Sequence, residues 1–128
     1  MQGVSPNRPK KPRVGANTGK LPPELEKDWS KRFKELFETF GYEGYHTWSA
    51  MHSPRGWADW SLANPRQKRL IFVELKRDIK TSVCSPAQLH WRDLILACGG
   101  EWYCFRPHDF DDAALILRAK PEVNKWLD

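Results

Sequence analysis

The chain has no apolar run near the roughly 20 residues needed to span a bilayer, and no apolar segment behind a basic start that would mark a secretory leader. It also lacks any C-x-x-C pair. The three cysteines, Cys84, Cys98 and Cys104, form an odd, spread-out set, and His46, His52, His90 and His108 stand singly. The spacing of structural zinc is therefore missing. The cysteines read as reduced thiols, two of them packing residues. There is no G-x-G-x-x-G pattern, no P-loop and no internal repeat, which excludes nucleotide cradles of those kinds and solenoids. Acid is missing from residues 1–21, where Arg8, Lys10, Lys11, Arg13 and Lys20 are the only charges.

What is present fits one ordinary domain of 128 residues, long enough to bury a core without disulfides. The formal net charge of +5 is unevenly spread: five of the 21 basic residues lie in 1–21, leaving 16 against the 16 acids from Pro22 onward. Residues 1–21, rich in Pro, Gly, Asn and Lys, have little to bury and read as a disordered basic arm. Residues 22–128 form the folded domain. Lys10, Lys11 and Arg13 suit contacts to phosphates; a solubilising terminus without a partner is the plain alternative. The chain reads as soluble and intracellular.

Helical periodicity predicts a first helix over about Pro23 to Phe40, stopped by Gly41. At about 100° per residue, Leu25, Trp29, Phe33, Leu36, Phe37 and Phe40 fall in one apolar arc, and Glu26 is the one acid inside it. A dipole-favoured first-turn carboxylate is its bland role. Strands follow at about Tyr42 to Trp48, Ala58 to Leu62 and Arg69 to Lys76, the last apolar on both faces as a central strand covered on both sides should be. Ser85 as N-cap and Pro86 at the first helical position open a second helix that Gly99-Gly100 ends. E-W-Y-C-F is a fourth strand, and P-H-D-F-D-D-A-A-L-I-L-R opens a third helix. The order predicts an α/β fold with a mixed sheet, containing a parallel pair joined by the second helix.

The chemistry concentrates on the second and third strands. A hairpin with the loop Pro65 to Lys68 closes Asn64 against Arg69 and sets Asp59 opposite Glu74, with Cβ atoms about 5 Å apart. Two carboxylates at that range repel unless a proton or cation lies between them. Mg²⁺, which takes carboxylate oxygens and waters, is the natural compensation. Lys76 shares the strand face of Glu74 and can hold a water or offset charge on a phosphorane-like transition state. The plain alternative is a Glu-Lys-Arg cluster at a solvated strand end.

These residues resemble a known group. Gly56-x-Ala58-Asp59, then Ile-Phe-Val-Glu74-Leu-Lys76-Arg77, then Ser85-Pro86-x-Gln88-x-x-Trp91, Gly99-Gly100 and Arg106-Pro107-x-Asp109 look like the VRR-NUC family of the PD-(D/E)xK nuclease superfamily, over about Glu26 to Leu117. The resemblance implies a restriction-endonuclease-like αβββαβ core. It implies Asp59 and Glu74 as metal-binding acids, the main-chain carbonyl of Leu75 as an extra ligand, and Lys76 as the catalytic lysine. Gln88 matches the glutamine of the helix over the active site, and Glu26 the acid of the first helix. Ala58 departs from the usual proline before the aspartate, a position that shapes backbone and holds no metal.

The implied activity is Mg²⁺-dependent hydrolysis of DNA phosphodiesters, with Mn²⁺ substituting for Mg²⁺. The implied substrate is branched or flapped DNA, with a Holliday-junction-resolving homodimer as the leading form. Stand-alone members occur in phages and bacteria, which implies the cytoplasm, the host's if phage-encoded. Arg55, Arg77, Lys80 and Arg92 are candidates for backbone phosphates, and His46 for the site or the DNA, against a structural role. Trp29 and Trp91 fall on core faces, leaving Trp48, Trp57 and Trp60 as candidates for base stacking. The alternative is a non-catalytic DNA-binding module derived from a nuclease fold.

Overall fold

The computed structural model describes residues 21–48 and 53–128. The arm contacts expected of Lys10, Lys11 and Arg13 lie outside the described residues. In chain order the elements are α1 (Glu26–Thr39), β1 (Glu43–His46), β2 (Trp60–Asn64), β3 (Arg69–Leu75), α2 (Pro86–Ala97), β4 (Glu101–Phe105) and, after a 3₁₀ turn at Pro107–Asp109, α3 (Phe110–Arg118). The four strands form one mixed sheet in the order β1-β2-β3-β4. β1, β2 and β3 are antiparallel neighbours, and β4 runs parallel to β3. The fold is α/β, a four-stranded mixed sheet flanked by helices. Among the described residues, no helix is long and apolar enough to cross a membrane.

The elements start and stop for local reasons. α1 begins three residues later than periodicity predicts: Leu25 holds an extended backbone at φ −71°, ψ 152° and stands as the N-cap residue. Leu25 is therefore half-exposed and outside the apolar arc assigned to it. Gly41 ends the helix at φ +84°, while Tyr42 N–H reaches back to the Phe37 carbonyl at 3.1 Å. β1 is shorter than expected, β2 is shifted two residues toward its turn, and β3 ends at Leu75. The predicted third helix opens as a 3₁₀ turn, in which the Asp109 carboxylate accepts the Arg106 N–H at 2.8 Å. Ser85 caps α2 as predicted, its hydroxyl accepting the Gln88 N–H and the Gln88 amide oxygen accepting the Ser85 N–H, a reciprocal capping box.

Two apolar clusters clothe the sheet. Trp29, Phe33 and Phe37 of α1 and Ala113, Ile116 and Leu117 of α3 meet Leu62, Ile71, Val73, Leu75 and Phe105 on one face. On the other, Ile95 and Leu89 of α2 cover Phe72, Trp102, Cys84 and Cys104. That second cover is partial. Leu70, Ala63 and Tyr45 are exposed on the β1–β3 side that α2 does not reach, so β3 is covered on both faces only in its C-terminal half. The clothed half is where the acids lie.

Candidate active site

The β2–β3 register runs from Asn64↔Arg69 to Trp60↔Val73, the pairing the hairpin loop predicts. Asp59 is one residue beyond that ladder, and its Oδ2 accepts the Leu75 N–H at 2.8 Å. The strand it precedes is pinned from the other side: Thr47 donates its N–H to the Asp59 carbonyl at 2.9 Å and its hydroxyl to the Ala58 carbonyl at 2.7 Å. Asp59 is thereby held against the Glu74–Leu75 peptide.

Glu74 is 1 % exposed, and its Oε2 has no hydrogen-bond partner among the described residues. A buried carboxylate oxygen without a donor is costly to keep ionised. Burial first, then the Asp59 charge and a hydrogen bond with Asp59, push the Glu74 carboxyl up to about 10, with Lys76 pulling the other way. Two carboxyls in contact, one of them protonated, form a pair in which a divalent cation can take the place of the proton. Lys76 Nζ donates to Gln88 Oε1 at 3.0 Å, and the same oxygen accepts the Ser85 N–H at 2.7 Å. The first turn of α2 thus grips the lysine through one amide.

Asp59 also lines a cavity of about 320 Å³ with Glu26, Lys27, Ser30, His46 and Leu75. Glu26 is exposed rather than buried in the helix interface, yet it faces the same space as Asp59. His46 is half-buried, with its ring centroid 4.6 Å from that of Trp60 and 5.5 Å from that of Trp48. No family model, curated protein or solved structure matches this chain. The site therefore rests on its geometry.

The basic candidates divide. Arg55 and Lys80 are exposed. Arg77 and Arg92 are half-buried and partly engaged: Arg77 Nε donates to the Glu24 carbonyl at 3.0 Å, and Arg92 donates through Nη1 to the Leu127 carbonyl and through Nε to Asp93, both at 2.9 Å, with further N–H groups left on each guanidinium. Trp91 is half-buried, not core; its ring centroid lies 5.1 Å from that of Trp57, and its indole N–H bonds the Arg55 carbonyl at 3.0 Å. Trp60 is buried and Trp57 packs edge-on against Phe72, which leaves Trp48 as the open stacking face.

Two features escaped the sequence. Lys27 and Ser30 line the cavity; Ser30 follows Glu26 by four residues, a spacing that signals a shared helix face, whereas no spacing rule signals Lys27. At the opposite end of β3, Arg69 makes a two-pronged pair with Glu101 (Nε–Oε2 3.0 Å, Nη2–Oε1 2.8 Å), and the Tyr103 hydroxyl donates to Glu101 at 2.7 Å. Both charged side chains are 8 % exposed. Here a complete hydrogen-bond set balances the buried charge; at Glu74 only the nearby Lys76 charge works against burial.

Proposed function

We propose that this protein is a divalent-metal-dependent endonuclease acting on DNA phosphodiesters, built on a restriction-endonuclease-like αβββαβ core. The observation that carries the reading is the contact of Asp59 with a buried Glu74 whose Oε2 lacks a donor, with Lys76 on the same strand face. The residue set fits Mg²⁺ or Mn²⁺, whose oxygen ligands would come from Asp59, Glu74 and the Leu75 carbonyl, with Glu26 facing them across the cavity. When bound, such an ion supplies charge for a phosphoryl oxygen and a more acidic water.

The chain's own groups do the rest. Asp59 and Glu74 bring two carboxyls together where the two central strands end. Lys76, oriented by Gln88, has two N–H bonds left to direct at an attacking water or a developing phosphorane oxygen. Lys27, which lines the cavity with Asp59, and the exposed Arg55 and Lys80 would meet flanking phosphates, and the exposed Trp48 would stack on an unpaired base. In this reading the substrate is branched DNA, a junction or flap, cut by a homodimer whose paired sites read shape.

The test is cleavage of a supercoiled plasmid, a four-way junction and a flap by the full chain in Mg²⁺, Mn²⁺ or chelator. Nicking is expected with either ion, on branched DNA before duplex. Lys76→Ala and Asp59→Asn should lower the rate by about 10²-fold or more while leaving the fold intact by circular dichroism. Metal-independent binding with no nicking would instead identify a non-catalytic DNA-binding module.

A further inference from the structure

Beside Glu74, on the same face of the sheet, lies a second cluster that the nuclease reading does not use. Cys84, at the end of the loop leading into α2, and Cys104, in the middle of β4, are both buried free thiols. The two sulfurs and an Asp128 carboxylate oxygen all lie within 4.8 Å of one another. The surroundings are polar for an apolar cluster: Arg106 Nη1 is 3.7 Å from the Cys104 sulfur, and Arg106 Nη2 donates to Asp128 Oδ1 at 2.9 Å. Asp128 Oδ2 in turn accepts the Cys84 N–H at 2.9 Å.

Three such donors invite comparison with a zinc site. The charge is already balanced, however, because Asp128 is neutralised by Arg106, and a guanidinium beside one sulfur opposes a second cation there. The Cys104 thiol lies against the Cys84 sulfur, and its S–H hydrogen bond holds the Cys84 thiol below its ordinary range, which favours the anionic, nucleophilic form of Cys84; Cys104 is then positioned to resolve the product. We propose that Cys84 and Cys104 are a reversible thiol–disulfide pair, oxidised by small hydroperoxides, that fastens the start of α2 to β4.

The step balances. Cys84, the less deeply buried of the two at 7 % against 2 %, attacks the outer oxygen of the hydroperoxide; the O–O bond breaks, an alcohol or water leaves, and Cys84 becomes a sulfenic acid. The Cys104 sulfur then displaces water from that sulfenic sulfur. Two thiols and one hydroperoxide give one disulfide, one alcohol and one water, with both thiol protons on the departing oxygens. Closure draws the sulfurs to about 2.05 Å, and the residue that must follow Cys84 is Ser85, whose N–H bonds the Gln88 oxygen that grips Lys76. The pair is therefore joined to the Lys76 grip by one residue of backbone, a consequence that does not require the nuclease reading.

The full chain, reduced and then treated with stoichiometric hydrogen peroxide, should fall from three free thiols to one and lose two hydrogens in intact mass. Peptide mapping should join Cys84 to Cys104, leave Cys98 alkylatable, and dithiothreitol should reverse all of it. Thermal stability should rise by several degrees in the oxidised form, because the bridge constrains the unfolded chain. Cys84→Ser and Cys104→Ala, either of which keeps the pocket filled if the other fails to fold, should each abolish the intramolecular bridge. Retention of three thiols, a bridge that forms only through Cys98 between molecules, or one Zn²⁺ per chain bound tightly enough to block oxidation would overturn the assignment.

Discussion

Glu74 is a carboxyl that folding makes reluctant to ionise. Its raised value, about 10 against 4.5 for the free side chain, means that the folded chain holds a proton the unfolded chain releases. The stabilisation is therefore complete below about pH 4.5 and drains away as pH climbs toward 10. Without a divalent ion, melting temperature should fall between about pH 5 and pH 9, and Glu74→Gln, which keeps the shape and removes the charge, should raise it and flatten the slope. Added Mg²⁺ should stabilise the parent protein at pH 8 but not the Gln variant, a difference that differential scanning calorimetry reads directly. An unchanged melting curve in both proteins would leave the two carboxyls as ordinary surface acids.

Among the elements, the loop from Ser53 to Asp59 and the first turn of α2 are the pair that sets the site. Gly56, at φ +95°, lies so close to α2 that a Cβ would fall 2.4 Å from the Ala87 carbonyl oxygen, and any larger residue must push loop and helix apart. Gly56→Ala should cost about 1–3 kcal/mol in chemical denaturation and slow nicking beyond the loss of folded protein. Much of this was legible in the sequence. The Pro65–Lys68 loop fixed the register and so the meeting of Asp59 with Glu74, and Ser85-Pro86 announced the cap; the part Gln88 plays in that cap was not foreseen. The carbonyl contacts of Arg77 and Arg92 were not legible, because their partners, Glu24 and Leu127, lie in distant segments that no local pattern encodes. For Glu26 the helical wheel gave the direction but not the burial: the helix starts at Glu26 itself, which leaves it exposed while lining the cavity.

Across the whole molecule, β3 carries contrasting electrostatics at its two ends. Arg69 and Glu101 form a buried, fully bonded pair, and Arg69→Ala should destabilise by roughly 3–5 kcal/mol in urea. Glu101 is held below the usual carboxylate range by its bonds from Arg69 and Tyr103 in spite of burial. Its contribution is present above that range and is lost as pH falls through the depressed folded value, so the Arg69 variant should show a weaker acid transition than the parent. Glu74 at the other end works with the opposite sign. The two ends thus bound a pH interval of greatest metal-free stability on the acid side of neutral. The grip on Lys76 and the loop bearing Asp59 both rest on residues 85–88. A tilt of that short stretch would carry the ammonium and the carboxylate in concert, so thermal jostling would shift the reactive groups as one piece instead of scrambling their spacing.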